Sequence, residues 1–477
     1  MSRSKLFSKN SKRTGNRSHG CRCSCICLPV AESNRYFHLL ERHPYLCSLF
    51  VCLLLNALYF GGEAYLAQNA VLLETLALLA AGAAVLWRLV RYQPQKKPTA
   101  VCVSVVYTLL VLAGAWCYHE ARHSGLWVLV GGCAVLSGLF WLTRKQYHNQ
   151  RRRVSLLLLG TSFLLKFFYV CYTPITRRQH DVGKFGDADN HAGYITYLLQ
   201  HHQLPDFDPR GHWQFYHPPL HHMISALWLW LSEHVFGISN AAAQESLQTL
   251  PLFYAMAIVI TAYRILRHFR LEGMALYVPL AVVAFHPSFI LFSGSINNDA
   301  LSVVFILGAV LWTLKWYEKQ TWESIVKIAL CIGLGMMTKL SAAMVAIPVA
   351  AVFLVVLARQ LRQRNWRILG QLGGFAVICF PLGLWYPVRN LVRFGVPLTY
   401  VQEMPENSVQ YLGEQSFFSR ILDFSPHQVA SVFEQWVQRT GGSYNEYNPL
   451  IALLKNAMFG EYINCLLYTS DAADDLT

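Results

Sequence analysis

The chain has 477 residues, 54% of them hydrophobic and only 14% charged, and its 40 Lys and Arg against 26 Asp and Glu leave a formal charge of +14. Its apolar runs are long enough to cross a bilayer, at about 20 mostly apolar residues per spanning helix, which excludes a soluble globule. The basic residues sit in short clusters between those runs, as cytoplasmic loops do, and no basic and aromatic interleaving of the RNA-binding kind occurs, so no nucleic-acid partner is expected. The fold class expected is an all-α polytopic membrane protein in contact with a lipid bilayer.

Residues 1–44 form a basic tail, expected to be disordered and cytoplasmic. In "CRCSCIC", Cys21, Cys23, Cys25 and Cys27 alternate with other residues, unlike the two-to-four-residue gap of structural zinc ligands. Residues 45–150 form an accessory module of four spans, near 45–60, 69–88, 99–118 and 125–142. Their inner connections, "RYQPQKKP" and "TRKQYHNQRRR", are strongly basic, and the outer turns carry little net charge.

Residues 151–400 form the main membrane module. A span near 154–172 delivers "YTPITRRQHDVGKFGDADNHAGYITYL" to the outside. The run "HPPLHHMISALWLWLSEHVFG" is expected to lie in the outer interface, because a crossing there would put "RILRHFRLEG" outside and invert the charge rule. Leu220, Met223, Ile224, Leu227, Trp228 and Leu231 share one face of that helix, and His221, His222, Ser225 and Ser232 share the other. Spans follow near 247–266, 274–293 and 300–317, then a short ascent to "MTKLS", a descent from Ser341 to Leu357, and a last span that brings out "YPVRNLVRFGVPLTY".

This topology sets Asp299, Lys339 and Arg389 at the outer boundary, beside a loop carrying Asp181, Asp187, Asp189, His191 and His217. Ionisable groups in a membrane read as functional. Here they suit an anionic lipid headgroup, with cations for its phosphate and an acid for proton chemistry. Structural readings stand beside this one. Asn297 or Asn298 could cap a helix beginning at Asp299, Lys339 could snorkel, Arg389 could anchor at the interface, and "HPPL" could mark a helix start. Pro218 and Pro219 are expected to hold the backbone extended beside His217; His201, His202, His212 and His222 are expected to be solvated.

The ordered set "QHDVGKF", "FYHPPLHH", "INNDAL", "GMMTKLS" and "RNLVRFGVP" resembles the GT-C membrane glycosyltransferases of the protein O-mannosyltransferase and aminoarabinose transferase type, in glycosyltransferase family 39. The resemblance covers about Leu156 to Tyr400. It implies a multi-span helical bundle with a large outer loop. It also implies transfer of a sugar from a polyprenyl-phosphate donor to an acceptor at the outer face of a bacterial-type plasma membrane, with Asp181 as general base. His217, Asp299, Lys339 and Arg389 would bind substrate. Val182 stands where many relatives carry a second acid; Asp187 and Asp189, spaced as Asp-x-Asp, could substitute and hold a divalent metal ion with His191, and His217 and Asp299 could join them.

A transporter or flippase of a lipid-linked or anionic substrate is the rival function. It would place ionisable groups at mid-bilayer, often in repeated halves, and no such repeat is found. The absence of a glycine-rich nucleotide-binding fingerprint agrees with a lipid-linked donor. Residues 401–464 are expected to cover the site from outside. The peptide "CLLYTSDAADD" from Cys465 is one that a DNA library adapter would encode, so 465–477 are expected to be foreign and the native chain to continue beyond Asn464.

Overall fold

The computed structural model describes residues 42–66, 132, 136, 150–175, 182–401, 416–426, 429 and 448–458. Asp181, the tail cysteines, the spans expected near 69–88 and 99–118, all but Gly132 and Leu136 of the one near 125–142, and 465–477 lie outside them. The chain divides into two units, 1–47 and 48–477. Helix α1 (Pro44–Leu66) begins in the first; all other elements belong to the second.

Every regular element among the described residues is helical. After α1 come α2 (Gln150–Tyr172), α3 (Asn190–His201), α4 (Leu220–Trp230, extended by a π turn over Leu231–Val235), α5 (Asn240–Ser246) and α6 (Thr249–His268). Then follow α7 (Met274–Ala284), α8 (Pro287–Leu291), α9 (Asp299–Glu318), α10 (Trp322–Thr338), α11 (Ala346–Arg362), α12 (Arg367–Phe394), α13 (Phe417–Leu422) and α14 (Pro449–Met458). Five stretches are long and apolar enough to cross a membrane: Val154–Cys171, Asn240–His268, Asp299–Glu318, Leu340–Arg362 and Arg367–Phe394. The protein is therefore a multi-pass membrane protein, as its hydropathy pattern requires. The 11 residues of α4 rise only about 16 Å, too little to span.

One expected span is broken. The run near 274–293 divides into α7 and α8 because Pro287 disfavours a helical conformation at the residue before it, and His286 is extended (φ −59°, ψ 125°). The Ser288 N–H turns to His286 Nδ1 (3.3 Å) instead of continuing the ladder. The Ala284 carbonyl is met by Ser162 Oγ and Lys166 Nζ, both at 2.8 Å. Lys166, fully buried within α2, thus closes the end of a neighbouring broken helix.

α10 packs chiefly against α12 and α9, and α9 against α6. Small residues permit the closest approach, as is common between membrane helices. A Cβ on Gly333 of α10 would stand 2.8 Å from Leu382 Cβ and 3.2 Å from the Cys379 carbonyl of α12. A Cβ on Gly383 would stand 2.8 Å from Met336 Sδ.

The bundle has two chemically distinct ends. At one, His268 of α6 lies 3.4 Å from Glu318 of α9, Lys315 and Lys327 lie over Trp312, and Arg359 donates to the Tyr317 hydroxyl. At the other, the start of α9 and the end of α10 meet the loop elements α3 and α4 around a core containing Tyr194, Phe215, Leu229, Ile296 and Ala300. Gly333→Leu should lower the stability of the detergent-purified protein by about 1–3 kcal/mol through overpacking, read as a fall in melting temperature by fluorescence-detected size exclusion.

Candidate functional site

The loop before α3 spends its acids on its own geometry. Asp187 accepts from the Lys184 N–H at 3.3 Å, and the Asp189 carboxylate accepts from the Trp213 N–H at 2.9 Å. Gly193 lets the turn close, since a Cβ there would stand 2.5 Å from the Asp187 carbonyl. Val182, buried in the core, accepts from Ala192 N at 2.8 Å. His191 is thereby set in the first turn of α3, pointing inward and buried.

α4 turns its polar face to the protein. His221, His222, Ser225 and Ser232 are buried, whereas Met223, Leu227 and Trp230 are exposed. The expectation of a solvated His222 is therefore corrected: the imidazole side of α4 packs inward against the protein, and the apolar face is the exposed one. The turn is also tighter than expected, because Pro219 is already helical (φ −87°, ψ −2°) and caps α4. His201 and His202 are exposed.

Five rings form a row with their planes within 28° of one another from each to the next. His217 lies against His191 (centroids 5.8 Å), His191 against His222 (5.1 Å), His222 against Tyr194 (4.2 Å) and Tyr194 against Phe215 (4.6 Å). His191 Nδ1 and His222 Nε2 are hydrogen-bonded at 2.9 Å. Burial, the largest cause, holds His191 and His222 well below the ordinary imidazole range, and neighbouring imidazoles push the same way: His222, His217 and His221 on His191, His221 and His217 on His222. Burial also brings His217 down to about 3, with Lys339 pushing the same way and Asp299 opposing. His221 is brought down to about 4 by burial, opposed by Asp299.

Beside the row, Lys339 Nζ pairs with the Asp299 carboxylate. Asp299 opens α9, with its N–H given to Asn297 Oδ1 at 3.2 Å. Lys339 caps the end of α10, and Asn298 Nδ2 donates to the adjacent Thr338 carbonyl at 3.1 Å. The two charged side chains keep 28% and 26% of their surface accessible, so a ligand can reach them. Each satisfies the other, and Lys339 does not simply snorkel.

Arg389 has a different posture. It donates to the Pro205 carbonyl at 2.5 Å and to Asn390 Oδ1 at 2.9 Å. Arg393 pairs with Asp206, and Arg210 donates to the Phe394 carbonyl. Tyr386 donates to the Phe215 carbonyl at 3.0 Å; its one proton spent, it must accept from Tyr194, 3.2 Å away. These contacts strap the loop over 202–216 to the end of α12.

The structure thus brings His217, His191, Asp299 and Lys339 together, with Arg389 reaching the same region through Tyr386 and Tyr194. Asp187, Asp189 and His191 do not converge as metal ligands. Among the described residues no group of three or more His, Cys, Asp or Glu is arranged to hold a metal ion. Sequence reasoning missed His222, Tyr194 and Lys166. The i, i+4 spacing of His221 and Ser225 marks a polar stripe, but not which way it faces.

Residues 217–385 match the family model described as dolichyl-phosphate-mannose-protein mannosyltransferase. The match bears out the resemblance to GT-C membrane glycosyltransferases over a stretch that runs from His217 to the last turns of α12. No curated protein and no solved structure matches the chain.

The buried histidines give stability a definite pH dependence. Each binds its proton more weakly folded than unfolded, so below about 6.5, the ordinary imidazole value, the unfolded chain takes up more protons and stability falls as pH falls. For His221, folded near 4, the loss at pH 5 is about 2 kcal/mol. Neither of its nitrogens makes a well-formed hydrogen bond, so an apolar ring of similar shape should fit well. Melting temperatures from pH 7.5 to 5 should fall in the wild type, and His221→Phe should keep its pH 7.5 value while falling less.

Proposed function

We propose that this chain moves a sugar from a polyprenyl-phosphate donor to an acceptor hydroxyl at the outer face of a plasma membrane. The observation that carries the reading is the Asp299–Lys339 pair beside His217. It stands at the end of the bundle opposite the Arg and Lys cluster and inside the segment similar to the mannosyltransferase family. Loop positivity favours a cytoplasmic basic end, which supports reading the pair at the outer boundary.

In this reading the donor phosphate displaces the Asp299 carboxylate from Lys339, which holds the charge that grows as the sugar C1–O bond breaks. The acceptor oxygen attacks C1 from the opposite side, its proton passes to Asp181, and polyprenyl phosphate leaves. Asp299, released, is free to accept from a sugar hydroxyl. His217, neutral by burial, adds a polar wall without adding charge. Arg389 contributes by holding the loop, and its guanidinium contacts support that role. The acceptor is a protein, lipid or cell-wall hydroxyl.

The test is transfer of labelled hexose from a polyprenyl-phosphate hexose by the full chain in nanodiscs, scored both as acceptor label and as released polyprenyl phosphate. Lys339→Met should lower kcat/KM by about 100-fold, and Asp181→Asn should lower kcat while donor binding persists. Unchanged turnover in Asp181→Asn would remove the base role. Lipid movement between leaflets without any sugar transfer would favour the flippase.

A further inference from the structure

At the end of the bundle away from Asp299 and Lys339, the acids are already matched. Glu272 stands 3.6 Å from Arg267, Glu318 3.4 Å from His268 and Glu323 2.5 Å from Lys327. Lys315, in the last turn of α9, makes no ion pair among the described residues. Its ammonium lies 4.2 Å from the centre of the Trp312 ring, and the Lys327 ammonium, carried by α10, lies 3.9 Å from the same centre. The two cations are therefore no more than about 8 Å apart. Arg264 brings a third positive charge within electrostatic range of Lys315, against the single acid Glu323.

An indole carries no net charge, so it attracts each ammonium without cancelling either. Glu323 does not balance the pair: its contact with Lys327 is an exposed i, i+4 one, of the weak kind. Both lysines can be reached, since Lys315 is partly exposed and Lys327 keeps 39% of its side-chain surface. Tyr317, Trp322 and Trp366 expose their rings at the same end, and such rings mark the headgroup level of a bilayer. The anion available at that depth is a lipid phosphate. Its oxygens, each accepting a charge-assisted hydrogen bond of about 2.8 Å, bridge a gap of this size.

We propose that Lys315 and Lys327, gathered on Trp312, bind the phosphate of an anionic phospholipid at the basic end of the bundle. The site stands apart from the Asp299–Lys339 pair, about 24 Å away along α9, and it does not rest on the donor reading. Its lysines come one from α9 and one from α10. The bound phosphate thus ties together the two helices whose opposite ends carry Asp299 and Lys339, and it holds that hairpin as a unit. The excess of positive charge selects a net-negative headgroup; a zwitterionic lipid brings a cation of its own, which the lysines repel.

The experiment adds phosphatidylglycerol, phosphatidylcholine or inorganic phosphate, at equal phosphate concentration, to the full chain in detergent and reads the melting temperature. Phosphatidylglycerol should raise it by about 3 °C over the other two. Lys315→Gln should keep the lipid-free melting temperature and lose most of that rise, as should Lys327→Gln, whereas Lys315→Arg should retain it. Lys319→Gln removes an exposed cation of the same end that does not lie on Trp312, and should leave the rise intact. If the Gln variants fail to fold, native mass spectrometry of the wild type decides, with preferential retention of phosphatidylglycerol from an equal mixture expected and equal retention of both lipids overturning the site. A rise of equal size in every variant reports diffuse charge and overturns it too. An equal rise with inorganic phosphate overturns the lipid as its occupant, and no rise with any addition overturns the proposal altogether.

Discussion

Two opposite charges held where helix ends meet organise this end of the bundle. An ammonium or a carboxylate alone near a bilayer is costly, and Asp299 and Lys339 remove that cost for each other. The pairing also sets geometry, because the first residue of α9 can touch the cap of α10 only when the two helix ends are level. The Asn298 contact to the Thr338 carbonyl reinforces the same alignment one residue earlier. With those ends fixed, His217 and His221 acquire their charged neighbours, and the loop elements have a floor on which to pack.

The second constraint is the direction of α4. In water an amphipathic helix buries its apolar face; here Met223, Leu227 and Trp230 are exposed and the histidines are buried. Apolar groups gain nothing by leaving lipid, whereas polar groups gain partners by leaving it. The imidazoles that result are neutral because burial penalises their charged form. The His191–His222 hydrogen bond joins two of these neutral rings, one on α3 and one on α4.

Two further devices hold the site in place. Arg389, Arg393 and Arg210 strap the loop to the end of α12, using guanidinium forks that match carbonyl and carboxylate oxygens. Within the membrane module, Lys166 and Ser162 satisfy the carbonyl left open where α7 stops. A broken helix is tolerated in a membrane only where such partners exist. The break at His286 lies one short helix, α8, ahead of the Asn297–Asp299 turn.

The sequence by itself determined the helical membrane class, the spans that appear as α2, α6, α9, α11 and α12, and the gathering of Asp299, Lys339 and His217 at one end. Hydropathy and charge placement are properties of segments, so they are readable along the chain. It did not determine that the run near 274–293 would be interrupted, although Pro287 was visible, because whether a proline breaks or merely bends a span depends on who satisfies the freed carbonyl. Nor did it determine that Arg389 would strap a loop, that Asp187 and Asp189 would serve their own turn, or that His222 would complete a pair with His191. Apart from the Asp187 contact, which is local, those outcomes depend on contacts between residues 24 to 184 positions apart. Only the packed helices decide such contacts, because burial and hydrogen-bond partners belong to the space between elements and not to any one of them.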